Sequence, residues 1–309
     1  ATTTFKPWTQ RSTSMDGHAA APGAGTVLNA LATGRGSAFA LDFETAAHVE
    51  LDGSGTVSGE IEGQPDADTE LIERCVTLAI ERWGDDPAAT GDLADPSAVG
   101  GTVRTESEVP TAAGLKSSSA AANATVLATA DALGLAGIVD HEDACRIGVQ
   151  AAREAGVTVT GAFDDASASM LGGLTVTNNT EDELLAREEV DWAALVWTPP
   201  ERAYSADADA ARCERVAPMA ELVEELALDG QYGQAMTVNG LAFSAALGFD
   251  PDPAVEAMPH VEGVSLSGTG PSVVAVGEPE GLEAVEERWQ ERPGETLRTE
   301  TRATGGRFL

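Results

Sequence analysis

The chain has 309 residues, and 51 acidic side chains against 18 lysines and arginines give it a formal net charge of −33. This length is typical of about two domains, and a hydrophobic content of 42% argues against wholesale disorder. So large a negative charge repels phosphate backbones and anionic lipid surfaces, which argues against nucleic-acid or membrane binding as the main activity.

The cations are unevenly divided, because 16 are arginine and only Lys6 and Lys116 are lysine. Acidic excess with few lysines is typical of a surface exposed to concentrated salt. The Debye length there falls to roughly 3 Å at about 1 M, so charge self-repulsion is weak. We therefore expect a salt-loaded cytosol, as in a halophile, and the alternative is an ordinary acidic cytosolic protein.

The cysteines and the N-terminus indicate a reduced, cytoplasmic protein. Cys75, Cys145 and Cys213 are odd in number and widely spaced, which argues against a disulfide framework. The four histidines form no CxxC or HExxH pattern, and no apolar run reaches the roughly 18 residues of a membrane span. Residues 1–14 are polar and lack the apolar core of a secretory signal, so we expect a flexible extension there.

The first half of the chain alternates predicted strands and helices with turn residues between them. In the segment before Trp83, acidic residues come first and Arg82 comes late, which is the charge order that the helix dipole favours. Asp140 is the expected N-cap of a later helix. In chain order we predict a strand over 46–53, a helix over 68–83, a strand over 101–109, helices over 117–133 and 140–155, a β segment over 157–162, an acidic stretch of small residues over 163–173 and a strand over 174–179.

The second half repeats this alternation without an internal sequence repeat. In chain order we predict a strand over 192–200, helices over 206–227 and 231–247, a helix from 251, strands over 264–268 and 272–277, a helix over 280–290 and a strand over 296–303. Strands interleaved with helices indicate a mixed α/β chain, with a domain boundary near 185–190.

The segment VPTAAGLKSSSAAANA, residues 109–124, predicts a site for a phosphate group. A turn at Gly114 leads into an Ala-rich helix whose first N–H groups have no intrahelical partner and attract anions. Lys116 lies at its edge. The spacing does not fit a Walker A loop, and the alternative is a Ser-rich helix start with Lys116 lying along the surface.

Two further segments carry candidate site residues. Asp164 and Asp165 follow the β segment among small residues, where a carboxylate could accept a proton from a substrate hydroxyl, although an ordinary turn or N-cap aspartate is the alternative. Gly268, Gly270 and Pro271 form a tight turn between two strands that either closes on a ligand or is an ordinary β-turn.

Three motifs resemble those of the GHMP kinases. PTAAGLKSSSAA resembles the family's nucleotide-binding motif, APGAGTVLNALATG its N-terminal motif and SLSGTGPSVVAV its C-terminal glycine motif. GLKSSSA, TGAFDDAS and NALATGRGSAFAL are most similar to the archaeal shikimate kinase branch. The resemblance covers the chain from Met15 to its end. It implies an α+β GHMP kinase fold, with a ribosomal-protein-S5-like α/β domain over 15–188 and a ferredoxin-like α+β domain over 189–309.

The resemblance also implies roles for individual residues. Asp165, seven residues before Gly172, is preferred as the base, and Asp164 caps or binds substrate. Carried over by position, Ser118 and Glu154 would hold Mg²⁺. The residues implied in binding ATP are Pro110, Thr111, Ala112, Ala113, Gly114, Leu115, Lys116, Ser117, Ser118, Ser119, Ala120, Gly268 and Gly270.

One departure from the family pattern singles out Lys116. Many GHMP kinases carry a lysine after the Pro-Gly of the N-terminal motif, where this chain has Ala24. We therefore expect Lys116 to be the catalytic cation that faces the phosphates. Arg35 and Arg104 are candidates for binding a substrate carboxylate, or else form surface ion pairs.

The implied activity is phosphorylation of the 3-hydroxyl of shikimate by ATP. Homoserine kinase, another GHMP activity, is the first alternative because only the acceptor pocket would differ. A Ser–Lys hydrolase, with Lys116 as base and Ser117, Ser118 or Ser119 as nucleophile, is more distant because no GxSxG elbow is present. The sequence predicts no oligomeric state.

Overall fold

The computed structural model describes residues 15–86, 88–89, 98–110, 112–158, 162–203 and 208–309. The extension predicted over 1–14 lies outside these ranges, as do Thr111 and residues 159–161 of the predicted β segment. The described chain contains strands and helices in alternation, which confirms the α+β class.

The elements of the first half build one large sheet and the helices on it. They are β1 (Met15–Leu28), β2 (Arg35–Asp52), β3 (Val57–Ile61), α1 (Glu70–Trp83), β4 (Gly100–Ser107), α2 (Ser117–Ala132), α3 (His141–Glu154), α4 (Phe163–Leu171), β5 (Leu174–Asn178) and β6 (Glu183–Glu188). With the last strand of the chain, β11 (Arg307–Phe308), the order in this sheet is β11-β1-β2-β4-β3. In addition, β5 pairs with β2, and β6 pairs with β5.

The second half builds a smaller sheet with the order β10-β7-β9-β8. Its elements are β7 (Ala193–Thr198), α5 (Ala210–Cys213), a 3-10 turn (Glu214–Val216), α6 (Ala217–Leu228), α7 (Tyr232–Leu247), α8 (Asp252–Ala257), β8 (Gly263–Leu266), β9 (Val273–Gly277), α9 (Pro279–Trp289) and β10 (Glu295–Glu300). The final strand β11 (Arg307–Phe308) returns to the first sheet beside β1.

The position of α2 follows from the small residues that it shares with β1. A Cβ on Gly17 of β1 would lie 2.1 Å from the carbonyl oxygen of Ala128, so the helix approaches the strand more closely than any side chain would permit. The α2 residues 119–130 are buried except Ala121, and they belong to the hydrophobic core beneath the sheet. This contact holds the C-terminal part of α2 against the start of β1, and the Ala24 N–H of β1 donates to the Leu115 carbonyl at 3.2 Å, just before α2 begins.

Local signals in the sequence agree with the helix ends. α1 carries Glu70 and Glu73 in its first turn and Arg82 in its last, and the Asp140 side chain accepts a bond from the Asp143 N–H at the start of α3. The predicted helix over 206–227 is wrong as one element, since α5, the 3-10 turn and α6 replace it with Pro218 in the first turn of α6.

The acidic stretch over 163–173 is a helix for most of its length. Ala162 adopts a left-handed conformation and α4 begins at Phe163, so Asp164 and Asp165 lie in a first helical turn. Val157 and Thr158 of the predicted β segment belong to no strand. No strand was predicted at β1, β3, β6 or β11, since β1 is rich in alanine and glycine, β3 contains Gly59, β6 is short and rich in charge, and β11 has only two residues.

Candidate active site

A cavity of about 510 Å³ lies where the start of α2, the first turn of α4 and the β8–β9 turn meet. This volume is in the range of sites for small ligands. Residues of β2, β4 and α1 form the opposite wall, among them Thr45, Ser107 and Leu71.

Lys116 stands at the start of α2 and points into the protein. Its backbone is left-handed (φ 66°), and its side chain is only 6% exposed. No side-chain cap satisfies the start of α2 and no acidic residue lies in its first turn, although α1 and α3 each carry two acids there. The N-terminus of α2 therefore presents uncapped N–H groups and a buried cation to the cavity, the arrangement that attracts an anion.

Asp165 forms an ion pair with Lys116 in the lining of the cavity. Its Oδ1 atom lies 2.7 Å from Lys116 Nζ, and the Asp165 side chain is 20% exposed. The contact is an ion pair outside hydrogen-bond alignment, and this buried oxygen has no hydrogen-bond partner among the described residues. Asn123 of α2 donates a 2.9 Å hydrogen bond to the Ala166 carbonyl, which holds α2 and α4 together behind the pair.

Asp164 is buried beside Asp165 and is bound from behind. Asn179 Nδ2 donates to its carboxylate at 2.6 Å, and the Asp164 N–H donates to Asn179 Oδ1 at 3.0 Å. Gly36 makes room for it, since a Cβ there would lie 2.5 Å from the carboxylate. Burial and then the Asp165 charge raise the pKa of Asp164 to about 7, against the opposing effects of Lys116 and the Asn179 hydrogen bond.

The β8–β9 turn closes the cavity over Lys116. Gly268 N–H donates to Thr26 Oγ1 at 2.7 Å, and Asn29 Nδ2 donates to the Gly268 carbonyl at 2.7 Å. Gly268 is left-handed (φ +54°), and a Cβ on it would lie 2.7 Å from Lys116 Nζ. Only glycine permits this approach at this φ.

The predicted nucleotide-binding residues divide into two groups. Those that line the cavity are Ala112, Gly114, Lys116, Ser117, Ser118, Ser119 and Gly268. Ala113, Leu115 and Ala120 instead lie in the hydrophobic core, and Pro110 does not line the cavity. A Cβ on Gly270 would meet the ring of Phe249, so its part in the turn is structural.

Glu154 is not brought to this site. It ends α3 on an exposed face, where it forms an ion pair with Arg74 and accepts a bond from Gln150 at 2.8 Å. The suggested carboxylate-binding arginines also lie elsewhere, since Arg35 pairs with Glu224 at 3.5 Å and Arg104 with Glu62 at 2.8 Å. Neither arginine lines the cavity, and both form the surface ion pairs that were the alternative for them.

Sequence reasoning missed Arg202 and Asn179. Arg202 follows β7 and is, with Lys116, one of two cations among the described residues that line the cavity. Nothing in the local sequence separates Arg202 from the other 15 arginines. Asn179 could have been noticed only as one of two asparagines where the buried strand β5 ends.

The remaining expectations concern the whole chain. Cys75, Cys145 and Cys213 are free and buried, and burial raises the pKa of the Cys75 thiol. None of the described helices combines the length and the hydropathy that a membrane crossing requires.

Comparison with known proteins finds matches along the chain. Residues 70–173 match the model of the GHMP kinases N terminal domain. The chain is 65% identical over 294 residues to a shikimate kinase of Halobacterium salinarum, covering 95% of this chain and 99% of the relative. It is 48% identical over 278 residues to a shikimate kinase of Methanosarcina acetivorans, covering 89% and 90%.

Solved structures share the fold at low identity. A homoserine kinase from Cytophaga hutchinsonii has a TM-score of 0.69 at 15% identity, covering 98% of this chain and all of the other. The Methanococcus jannaschii mevalonate kinase has a TM-score of 0.70 at 12% identity, covering 94% and 99%.

Proposed function

The chain belongs to the shikimate kinases of the GHMP kinase family, and from that premise we propose how its cavity transfers the γ-phosphoryl group of ATP to the 3-hydroxyl of shikimate. The observation that carries the assignment of residues is the buried pair of Lys116 and Asp165, at 2.7 Å, beside the uncapped start of α2. In-line transfer of a phosphoryl group to a hydroxyl needs a cation that stabilises the phosphoryl charge and a carboxylate that orients the hydroxyl, close to each other.

The start of α2 is the proposed site of the transferring phosphates. Its N–H groups, the helix dipole and the Lys116 ammonium would stabilise the charge that spreads over the phosphoryl oxygens. Ser118 is exposed to the cavity and offers a hydroxyl there. These groups are held in place before the nucleotide arrives, so little reorganisation opposes the reaction.

Asp165 is the proposed base or positioner of the acceptor hydroxyl. Its Oδ1 keeps an unused lone pair, which can accept the hydroxyl proton. Asp164 is turned toward Asn179 and positions the first turn of α4. Because its pKa is raised to about 7, Asp164 is partly protonated near pH 7. The two aspartates then carry less negative charge together, which favours the approach of an anionic nucleotide.

The donor set fits a magnesium ion as the nucleotide's companion. Mg²⁺ takes oxygen ligands and shares them with phosphates and water, and Ser118 Oγ and the Asp165 carboxylate are oxygen donors at the cavity. When bound, the ion would neutralise charge on the phosphates. Glu154 is left out of this proposed set because it pairs with Arg74 and does not line the cavity.

Arg202 is the proposed partner of the shikimate carboxylate. No hydrogen bond or ion pair occupies its guanidinium among the described residues, and it lines the same cavity as Asp165. Its backbone is held near the phosphate loop, because the Ala203 N–H donates to the Ala112 carbonyl at 3.2 Å. A planar guanidinium binds a carboxylate through two parallel hydrogen bonds.

The proposed acceptor is tested by ADP release in concentrated salt with shikimate, homoserine and mevalonate as separate substrates. Release with shikimate alone supports the proposal, and release with homoserine but not shikimate overturns it. A serine-reactive phosphonate serves as a further arm, because labelling of the chain with loss of activity would favour the hydrolase alternative.

A further inference from the structure

Two of the chain's four histidines stack on the solvent-facing side of the first sheet. His18 of β1 and His48 of β2 are directly paired in the antiparallel register. Their ring centroids are 4.2 Å apart and the planes differ by 7°. Neither residue lines the cavity, so the proposed phosphoryl transfer does not use them.

A carboxylate lies against both rings. Asp16, two residues before His18 on the same face of β1, contacts His48 Nε2 through its Oδ1, and the same oxygen lies 3.6 Å from His18 Nε2. One donor atom from each of the three residues lies within 4.8 Å of the others. Glu50, paired in register with Asp16, places a second carboxylate oxygen 4.0 Å from His48 Nε2.

We propose that Asp16, His18 and His48 bind one divalent transition-metal ion of the zinc class. Two imidazole nitrogens and a carboxylate oxygen form a donor set that suits Zn²⁺, and a fourth position would remain for water or Glu50. The ion would take the place of the direct contact between Asp16 and His48. It would join the start of β1 to β2 from the outside.

The surroundings favour a cation at this point. The three side chains are 45%, 47% and 37% exposed, so an ion reaches them without unfolding. The nearest guanidinium along the register is Arg104, opposite His48, and its charge is already paired with Glu62 at 2.8 Å. The facing carboxylates of Asp16 and Glu50 therefore dominate the local field.

The test is calorimetric titration of the untagged full chain with Zn²⁺, after chelator treatment and in concentrated salt. We expect one saturable equivalent in the wild type and in His260→Ala, which removes a histidine far from the cluster. His18→Ala and His48→Ala should each weaken binding by at least about tenfold, since even outer-shell partners of metal ligands contribute roughly 10–100-fold. No saturable binding, or unchanged affinity in His48→Ala, would overturn the proposal.

A second readout identifies the ligands. Co²⁺ bound at this cluster should show no thiolate charge-transfer band, because the three cysteines are buried elsewhere. Such a band would assign the ion to a cysteine and overturn the proposal. Both substituted histidines are partly exposed, so the variants should keep the wild-type circular dichroism spectrum and ADP release, which separates lost metal binding from lost folding.

Discussion

Replacing Lys116 with methionine removes the cation of the buried pair and keeps most of the side-chain volume. The Lys116 side chain is 6% exposed and Asp165 is 20% exposed, so the substitution leaves a largely buried carboxylate without its partner. Loss of one member of a buried pair costs about 3–5 kcal/mol. Because Asp165 retains contact with water, we expect a smaller loss, about 2–3 kcal/mol of unfolding free energy.

The effect on catalysis should be separate from the effect on stability. Removing one preorganised group that stabilises developing charge lowers kcat by about 10²–10³-fold. Adding Asp165→Asn to Lys116→Met removes the unpaired charge, so the double variant should be more stable than Lys116→Met alone. Its kcat should remain as low or lower, because the base is now also absent.

These two quantities are measured by denaturant unfolding and by ADP release at a single high salt concentration. Lys116→Arg is the matched control, since it keeps the charge but changes the geometry, and should lie between wild type and Lys116→Met in kcat. A Lys116→Met variant with wild-type kcat would refute the role of Lys116. A double variant less stable than Lys116→Met would refute the account of the pair.

The other predictions test the remaining parts of the cavity and the charge of the chain. Arg202→Ala should raise KM for shikimate about tenfold or more and leave KM for ATP unchanged, because a hydrogen bond to a charged group contributes about 1.5–3 kcal/mol. The control Arg35→Ala should change neither KM. Gly268→Ala places a Cβ 2.7 Å from Lys116 Nζ and should lower kcat, while Gly230→Ala, also at positive φ but in open space, should lower stability only. The pKa of Asp164 is raised from 3.8 to about 7, so the folded state of the wild type should lose stability as the pH rises between these values, whereas Asp164→Asn should not show this loss. Denaturant unfolding at about pH 5 and about pH 8 measures the difference. Parallel pH profiles of the two proteins would contradict the prediction. Lower salt lengthens the Debye length from roughly 3 Å to roughly 10 Å between about 1 M and 0.1 M, so stability should fall and KM for ATP should rise, and salt-independent values would contradict the halophilic interpretation.

The parts of the site that could be predicted from the sequence are those encoded locally. A glycine turn, a lysine and an Ala-rich helix are consecutive in the chain, so their order alone places Lys116 at the start of α2. Asp165 was singled out by the resemblance, through its spacing to Gly172, and not by the local residues alone. Long elements with clear caps, such as α3 behind Asp140, were predictable for the same reason.

The features of the site that were not predicted from the sequence depend on tertiary contacts. α4 has only nine residues, among them two aspartates and two serines of lower helix propensity than alanine, and its first turn is held by Asn179, 15 residues after Asp164. Glu154 was assigned by counting along the chain, which does not report the side of α3 it occupies. Arg202 reaches the cavity from a loop after β7, and no short-range pattern marks it.

The most direct test of the central claim is a single-turnover experiment with ATP labelled at the γ-phosphate, shikimate, and either the wild type or Asp165→Asn. The account predicts label on the 3-hydroxyl of shikimate with the wild type. It predicts a transfer rate lower by about 10²-fold or more with Asp165→Asn when both substrates are saturating. Label on another hydroxyl, or equal transfer rates in the two proteins, would contradict it.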